Sequence, residues 1–355
     1  MSIFEIDPDI RKAKTLASDF YTDPAYFELS REKIFARSWQ FLGRADEVES
    51  LKPATILPGF LDEPVLLVKT SEWLTCLSNV CTHRGKILVE EPCHADLIRC
   101  NYHGRRFLLS GEMLSMPEFE GVENFPCESD NLRQLAFAAR QGFMFASLDP
   151  VDTFEAFVSD VAVRFADDNY EANDLRLTST REYEVNAHWA LYCENYLEGF
   201  HIPYVHHALN EVVDYGSYST ETFRYSSLQT GYVGSGSDAP IASRTLALQS
   251  VAARYLFIFP NLMFNFYPWG ISVNVVRPVS PSRSVVEFLT YVGDESLMET
   301  GAGADLHGVE MEDEAVVESV QKGIRSRFYS QGRYSPTREQ GTHHFHRLIA
   351  EFMID

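Results

Sequence analysis

The sequence predicts an α+β fold of two domains, a small all-β domain followed by a larger one with an antiparallel sheet packed against helices. Two observations predict this. From about residue 54 to 148 the chain is a series of short β-rich runs broken by Gly, Pro and Asp. Beyond residue 150, segments with helical periodicity occur together with long apolar runs rich in β-branched residues.

The length and charge of the chain limit its partners. Its 355 residues exceed the roughly 100 to 200 of one domain, and a hydrophobic content of 45% allows a sizeable core. A net charge of -21 disfavours nucleic acid and anionic membranes, because both bind basic surfaces. No run approaches the roughly 20 apolar residues of a membrane span, and the first residues lack the pattern of a signal peptide. We expect a cytoplasmic protein.

The first elements are a helix and then strands. Apolar residues recur at helical spacing from Pro24 to about Phe41. The runs PVLLVKT, EWLTCLSNV and GFMFASL predict strands of the small domain, and Asp149 with Pro150 marks its expected end. We therefore expect a helical segment over 1–40 that packs on the larger domain, the small domain over 41–149 and the larger domain over 150–355.

The larger domain begins with a predicted helix over 153–168. Three successive strands are then predicted by YLFIFPNLMFNFY, ISVNVVRPVS and SVVEFLTYVG. A long helix follows, from about Val309 to Ser326.

Two motifs in the small domain each supply one cysteine and one histidine. They are Cys81-Thr82-His83 and, sixteen residues later, Cys100-Asn101-Tyr102-His103. A zinc finger usually keeps its cysteines in one arm and its histidines in the other. Here one iron can take both sulfurs and a second iron both imidazoles, which is the Rieske [2Fe-2S] pattern. Zinc is the alternative, because Cys93 and His94 between the motifs could complete a different ligand set.

A second candidate metal pair is His201 and His206. On a regular helix residues five apart differ by roughly 140° around the axis, but Pro203 between them should break or kink the helix. Glu194 and Glu198 precede the pair on the helical face of His201. With one carboxylate the pair would form the facial triad of a non-haem Fe(II) site. The alternative is that the two histidines are neighbours by chance.

The third ligand is sought on the predicted helix over 309–326. At 100° per residue one apolar stripe is formed, by Val309, Val316, Val317, Val320 and Ile324. Asp313 lies at its centre, whereas Glu312, Glu314 and Glu318 point away and are interpreted as a solvated acidic face. A buried carboxylate is costly unless it is paired or binds a metal, which favours Asp313. The alternative is a different helix register.

Four parts of the chain together resemble one family. The two Cys/His loops, N-A-H-W-x4-E-N-Y-L-E-G-F-H-x4-H, the strand NLMFNFYPWG and the tail GRYSPTREQGTHHFH are similar to the α subunit of Rieske non-haem iron oxygenases. Within it the chain most resembles the choline, glycine betaine and carnitine oxygenase group, which acts on quaternary amines. Asn101 and Arg105 stand where the family's second loop often has proline and tryptophan.

The resemblance implies a helix-grip catalytic domain and a terminal oxygenase. Such a protein uses O2, and electrons from a flavin/iron-sulfur reductase, to hydroxylate or N-demethylate a small organic substrate. It carries a [2Fe-2S] cluster, here on Cys81, His83, Cys100 and His103, and one mononuclear Fe(II) per chain, here on His201, His206 and Asp313. It also implies a homotrimer in which Glu198 joins His103 of one subunit to His201 of the next.

The substrate pocket is less well defined by the sequence. The aromatic residues Phe264, Phe266, Tyr267 and Trp269 could form part of a cation–π cage for an ammonium group, or they could be core residues of a strand. The C-terminal histidines His343, His344 and His346 are interpreted as structural. His188 and His207 are interpreted as packing or surface residues, with His207 an alternative to His206 as the ligand.

Three rival functions fit parts of the sequence. An aromatic-ring hydroxylating oxygenase would share both metal sets. A pure electron carrier would leave about 200 residues and the second histidine pair without a role. A non-catalytic helix-grip ligand-binding protein would keep a cavity but would not need both metal sets.

Overall fold

The computed structural model describes residues 4–158, 175–234, 241 and 251–354. The chain divides into two compact units, one made of Met1–Phe35 with Asp152–Asp355 and the other of Ala36–Val151. Within the described ranges no helix is long and apolar enough to cross a membrane.

The Ala36–Val151 unit is built from three small antiparallel sheets, with strand orders β1-β9-β8, β2-β3-β4 and β5-β6-β7. The strands are β1 Gln40–Arg44, β2 Leu51–Ile56, β3 Glu63–Lys69, β4 Leu74–Ser78, β5 Ile98–Arg99, β6 Arg106–Phe107, β7 Met113–Ser115, β8 Ala136–Arg140 and β9 Phe143–Ser147. The three strand runs predicted from the sequence form β3, β4 and β9. Cys81 and Cys100 belong to the buried core of this unit, beside Leu66, Leu77 and Phe107.

The helix predicted from Pro24 to Phe41 is shorter than the periodicity suggested. An α-helix covers Pro24–Ser30, one π-helical turn follows over Arg31–Phe35, and β1 begins at Gln40. The last residues of the apolar pattern are therefore in a strand, where Phe41 pairs with Phe145 of β9. Pairing with a distant strand overrides the local periodicity, so the predicted end of the helix was wrong.

The larger unit contains one antiparallel sheet of seven strands in the order β10-β16-β15-β14-β13-β12-β11. They are β10 Arg176–Val185, β11 Ser219–Thr222, β12 Ser226–Tyr232, β13 Val251–Ile258, β14 Leu262–Tyr267, β15 Gly270–Ser280 and β16 Arg283–Val292. The run YLFIFPNLMFNFY, predicted as one strand, is a hairpin of β13 and β14 in which Ile258 pairs with Leu262. Pro260 lies in its turn, where a missing amide N–H removes no ladder hydrogen bond.

Helices of this unit pack against the sheet, with contacts to β10, β11 and β15. They are α1 Ser18–Thr22, α2 Pro24–Ser30, α3 Trp189–Tyr196, α4 Ile202–Val205, α5 His207–Val212, α6 Leu306–Gly323 and α7 Gln340–Ile354, and residues 154–158 are also helical. The remainder of the helix predicted over 153–168 lies outside the described residues. Helix α6 starts three residues earlier than predicted, because the Asp305 side chain caps it by accepting from the Gly308 amide at 2.8 Å.

Candidate functional site

The two Cys/His loops of the small unit have the same backbone hydrogen bonds. The amide of Cys81 donates to Lys86 O at 2.9 Å, and that of Cys100 donates to Arg105 O at 2.8 Å. Four residues after each cysteine, Gly85 and Gly104 return a hydrogen bond to the cysteine carbonyl at 3.0 Å. Both glycines have positive φ, 69° and 78°, which a residue with a Cβ adopts only at a cost. The glycines thus allow each loop to turn its Cys and His side chains to the same side.

The four side chains fit a cluster whose sulfur ligands are buried in the domain and whose imidazole ligands lie nearer the surface. Cys81 and Cys100 are each 2% exposed, whereas His83 is half-buried and His103 is exposed. The rings of His83 and His103 lie 4.8 Å apart, centroid to centroid. Burial, with a smaller contribution from the adjoining Cys100, raises the pKa of Cys81, so a thiolate there needs a cation to neutralise it. Burial and then the neighbouring His103 lower the pKa of His83, which favours the neutral imidazole that binds iron.

Arg105, which follows the second Cys/His motif, contacts the first Cys/His loop. Its guanidinium is 2% exposed and donates to Thr82 Oγ1 at 2.6 Å and to Asp130 Oδ1 at 3.0 Å. It also lies over the rings of Phe119 and Phe125, at 5.8 and 5.3 Å from their centroids. The arginine that replaces the family's frequent tryptophan is therefore a packed and paired core residue.

The second candidate site begins where helix α3 ends. Residues after Tyr196 leave the helical path, and Pro203 occupies the first turn of the short helix α4, where no amide donor is needed. A second break follows at His206, whose φ and ψ are -103° and 75°. These breaks bring the ring nitrogens of His201 and His206 to 3.1 Å from each other, Nε2 to Nε2. His207, next in the chain, is exposed.

Asp313 of helix α6 completes a three-residue set. Its Oδ1 lies 3.0 Å from His206 Nε2 and 3.6 Å from His201 Nε2. One ligand atom from each of the three residues lies within 4.8 Å of the others. Two histidines and one carboxylate with ligand atoms this close match the residue set of the facial triad of non-haem iron sites. The residues therefore fit a mononuclear metal ion.

Each member of this set is also hydrogen-bonded to a neighbour. His201 Nδ1 lies 2.8 Å from Glu198 Oε1, and Asn195 donates to Asp313 Oδ1 at 2.6 Å. His206 Nδ1 lies 2.7 Å from Glu312 Oε2. The interpretation of Glu312 as only solvated was thus wrong, although its side chain is 49% exposed. Such partners fix the tautomer and orientation of a metal-binding imidazole.

The charges around His206 indicate that the set is prepared for a cation. Burial by itself lowers the pKa of His206, but the hydrogen bonds and charges of Asp313 and Glu312 outweigh it and raise the pKa. Without a metal the imidazole tends to hold a proton between two carboxylates. A divalent ion on Nε2 would replace that proton.

The buried face of helix α6 overlaps only in part with the apolar stripe predicted from its sequence. Its buried residues are Glu310, Val317 and Gln321, whereas Val320 is 45% exposed. Gln321 accepts from the His188 amide at 2.7 Å, and Tyr192 donates to Glu310 at 2.6 Å. Buried polar side chains with partners therefore set the rotation of the helix. Sequence reasoning missed Glu310, although it lies three residues before Asp313 and hence on the same helical face.

A cavity opens beside the His/His/Asp set. Its space, counted together with the opening to solvent, is about 720 Å³. The sheet contributes Tyr255, Asn265, Tyr267, Ser272, Asn274 and Phe288. Because side chains alternate along a strand, Asn265 and Tyr267 of β14 face the cavity and Phe264 and Phe266 face away. Trp269 stacks on Tyr267 with centroids 5.1 Å apart but does not line this cavity.

The aromatic surface therefore differs from the one suggested by sequence. Of the four candidates on the β14 segment, Tyr267 alone lines the cavity. The other aromatic rings come from distant segments, namely Tyr192, Tyr196, Tyr218, Tyr255 and Phe288.

Glu194 and the C-terminal histidines form a separate structural network. Tyr21 donates to Glu194 Oε1 at 2.7 Å, and His346 Nε2 lies 3.0 Å from the same oxygen. The other nitrogen of His346 lies 2.6 Å from the Tyr334 hydroxyl, and His343 Nε2 lies 2.8 Å from Asp7 O. These contacts join the N-terminal segment, α3 and α7. His188, fully buried among the rings of Phe20, Tyr21 and Phe27, is likewise a packing residue.

Comparison with known proteins agrees with both metal sets. Residues 172–354 match the ring hydroxylating alpha subunit (catalytic domain) family, and residues 38–126 match the Rieske [2Fe-2S] domain. The chain belongs to the ring-hydroxylating oxygenase α subunits. As a member of this family it is a Rieske-type oxygenase, an oxidoreductase with a [2Fe-2S] cluster in its Rieske domain and mononuclear iron in its catalytic domain. The fold class predicted from the sequence is confirmed.

Similar α subunits cover nearly the whole chain. Chloroplastic choline monooxygenase of Arabidopsis thaliana is 30% identical over 98% of this chain and 85% of its own length. The carnitine monooxygenase oxygenase subunit of Escherichia coli (strain K12) is 27% identical over 97% of this chain and 95% of its own. A solved structure of the quaternary ammonium Rieske monooxygenase CntA with L-carnitine matches with a TM-score of 0.78 and 26% identity, over 98% of this chain and 99% of that one. Naphthalene 1,2-dioxygenase from Rhodococcus sp. shares the fold, with a TM-score of 0.75 at 17% identity over 96% and 94% of the two chains.

Proposed function

We propose that this oxygenase hydroxylates a quaternary or N-methylated amine, with choline-type amines as the first candidates. The observation that carries the proposal is the cavity beside His201, His206 and Asp313, which is lined by six aromatic rings and acidic groups. A cation over an aromatic face is stabilised by up to about 2 kcal/mol when desolvated. The names of the choline and carnitine relatives support the same substrate class.

In the proposed site His201, His206 and Asp313 hold the mononuclear iron, and Cys81, His83, Cys100 and His103 hold the cluster. When bound, the iron would supply O2 activation, with electrons arriving by way of the cluster. Glu198 and Glu312 accept hydrogen bonds from the imidazole Nδ1 atoms and so keep each Nε2 directed at the metal position. Asn195 holds the carboxylate of Asp313. The aromatic walls exclude water and orient the substrate methyl groups.

The reaction is balanced by two electrons and two protons. A substrate C–H bond and O2 give a C–OH group and one water. Where the carbon is an N-methyl, the resulting N–CH2OH group loses formaldehyde and leaves the demethylated amine. Where it is the carbinol carbon of choline, the product is an aldehyde hydrate.

Electrons would come from a flavin/iron-sulfur reductase, and the assembly would be a homotrimer. A CntA structure is described as giving insight into inter-subunit electron transfer, which supports an exchange of electrons between neighbouring subunits here as well. In this trimer Glu198 would join His103 of one subunit to His201 of the next. We also propose a Rieske domain over 41–149, a catalytic domain over 150–355 and a cytoplasmic location.

The test is substrate-dependent O2 uptake by the purified oxygenase with a reductase. Choline, glycine betaine, carnitine and aromatic acids would be compared, with aldehyde and formaldehyde measured as products. We expect one of the amines to couple O2 uptake to product. Coupled turnover of an aromatic acid and of none of the amines would contradict the proposal.

A further inference from the structure

Among the described residues that line the cavity, Glu310 is the one acidic residue that the proposed metal site does not use. Its side chain is 3% exposed and lines the cavity from helix α6. Tyr192 donates to Oε2 at 2.6 Å, whereas Oε1 accepts no hydrogen bond from the described residues. A buried carboxylate with an unpaired oxygen is costly unless it holds a proton or faces a cation, and in a cavity wall a cationic ligand can take the place of the proton.

The rest of the cavity wall indicates the charge of that ligand. Neither lysine nor arginine occurs among the described residues that line it. Four carboxylates surround the site, those of Glu198, Glu310, Glu312 and Asp313. When all four are ionised, a divalent metal ion still leaves two negative charges. The described part of the wall therefore attracts a cation, and none of its residues offers a cationic side chain to the carboxylate of a substrate.

The neutral polar groups of the wall suit an uncharged second group on the substrate. Asn265, Ser272 and Asn274 line the sheet side of the cavity, where Asn265 accepts from Tyr196 and Ser272 donates to Asn274. A hydroxyl can bond to the polar atoms of such side chains that remain, including the amide nitrogen of Asn274. A carboxylate there would meet the repulsion of Glu310 and Asp313, and the described lining residues include no arginine to pair with it.

We propose that Glu310 is the counter-ion of the substrate, and that the cavity therefore selects an amine with one positive charge and no carboxylate over a zwitterionic betaine. The inference rests on the proposed function, because it takes an amine as the substrate. Burial raises the pKa of Glu310 to about 8, against the hydrogen bond from Tyr192, which lowers it. A bound cation favours the ionised form of such a carboxyl group.

The experiment measures equilibrium binding to the holoenzyme without reductant, so that no turnover occurs. The probes are choline, its neutral isostere 3,3-dimethylbutan-1-ol and glycine betaine, titrated calorimetrically. We expect the unmodified enzyme to bind choline at least tenfold more tightly than either of the others. In Glu310→Gln the choline preference over the isostere should fall to threefold or less, while the affinity for the isostere stays unchanged.

Two further variants serve as controls. Glu310→Asp keeps the charge and should still bind choline more tightly than the neutral isostere. A comparison with Glu310→Gln therefore separates the effect of the charge from an effect on folding. Glu314→Gln removes a charge from the same helix outside the cavity wall and should leave all three affinities unchanged. Iron content and circular dichroism would establish that each variant is folded.

The outcomes separate the two proposals. No preference for choline over the isostere in the unmodified enzyme would overturn both the amine substrate and the role of Glu310. If Glu310→Gln retains the preference for choline over the isostere, the role of Glu310 is overturned but the amine substrate is not. The same holds if glycine betaine binds as tightly as choline. If Glu310→Gln does not fold, the choline and betaine affinities of the unmodified enzyme and of Glu310→Asp still decide the inference.

Discussion

Single residues around the His/His/Asp set are arranged in pairs, each candidate ligand with one neighbour that orients it. His201 has Glu198, and His206 has Glu312. The partner of Asp313 is Asn195, a neutral donor, so it restrains the carboxylate without adding charge. The ligand atoms and the orienting contacts are therefore supplied by different residues, which makes their effects separable by mutation.

Asp313→Ala should remove the mononuclear iron and leave the cluster intact, because the cluster ligands belong to the Ala36–Val151 unit. The iron content should fall from about three to about two irons per chain, and the electron paramagnetic signal of the reduced cluster should not change. Glu314→Ala on the same helix is the control and should keep all the iron. Retention of the mononuclear iron by Asp313→Ala would rule out this residue as the ligand.

Glu312→Ala should weaken iron binding without abolishing it. The variant removes the acceptor from His206 Nδ1 but none of the three ligand atoms. Loss of such a partner commonly costs 10- to 100-fold in metal affinity. A chelator competition should measure the change, and an affinity equal to that of the unmodified protein would show that Glu312 has no orienting role.

Glu310→Gln should alter the pH dependence of stability in protein prepared without the mononuclear iron. The pKa of Glu310 rises from 4.5 to about 8 because the side chain is buried. Between these values the folded state holds a proton that the unfolded state has lost, so the free energy of unfolding falls as pH rises. Glutamine does not titrate, so the variant does not lose this part of its stability as pH rises. Chemical denaturation should give the glutamine variant a free energy of unfolding a few kcal/mol higher than that of the unmodified protein at pH 9, and a much smaller difference at pH 5. Equal differences at both pH values would contradict the raised pKa of Glu310.

Among the structural elements, the two cluster loops depend on a contact from outside their motifs. Arg105 follows the second motif, yet its hydrogen bonds reach Thr82 in the first loop and Asp130 further along the chain. The hydrogen bond to Thr82 joins the two loops, while the ion pair with Asp130 and packing on two phenylalanine rings fix the position of Arg105.

Arg105→Met should destabilise the Rieske domain, because it leaves Asp130 without its buried partner. Asp130 is half-buried and keeps the hydrogen bond from the Cys127 amide, so the cost should be below the about 3 to 5 kcal/mol of breaking a fully buried ion pair. Thermal loss of the cluster absorption should occur at a clearly lower temperature. Arg106→Met is a matched control, since Arg106 is exposed, and should leave the transition in place. Equal transitions for the two variants would mean that the buried pair contributes nothing.

For the whole molecule, the two metal sets occur in different compact units of one chain. The Cys/His ligands lie in Ala36–Val151, and His201, His206 and Asp313 lie in the other unit. The oxygenase reaction needs electrons at the mononuclear iron, so a route between the two kinds of site is required. Glu198, already bonded to His201, is the proposed link.

Glu198→Gln should leave both metal sites filled and the proposed trimer assembled, while activity falls by an order of magnitude or more. The amide keeps the size of the side chain but loses the charge and one acceptor. Rapid mixing of the reduced enzyme with substrate and O2 should show slow reoxidation of the cluster. A normal reoxidation rate with only lowered stability would reduce Glu198 to a structural role, through its bonds to the amides of Phe200 and His201.

The sequence by itself determined the family, the fold class, and the candidate ligands whose positions follow from local spacing. The cysteine and histidine of each loop lie within four residues of each other, and His201 and His206 lie on either side of a helix break at Pro203. Asp313 could be predicted because helical periodicity assigns each residue to a face of the helix before any tertiary contact is known.

The tertiary structure alone decided which polar side chains are buried and which strand face meets the cavity. Hydropathy treats Glu310, Glu312 and Gln321 as solvent-facing, and their roles emerge from partners more than 100 residues away, Tyr192, His206 and His188. The register of β14 likewise turns Tyr267 toward the cavity and Phe264 and Phe266 away from it. The physical reason is that burial and strand register depend on long-range pairing, which the local pattern of residues does not specify.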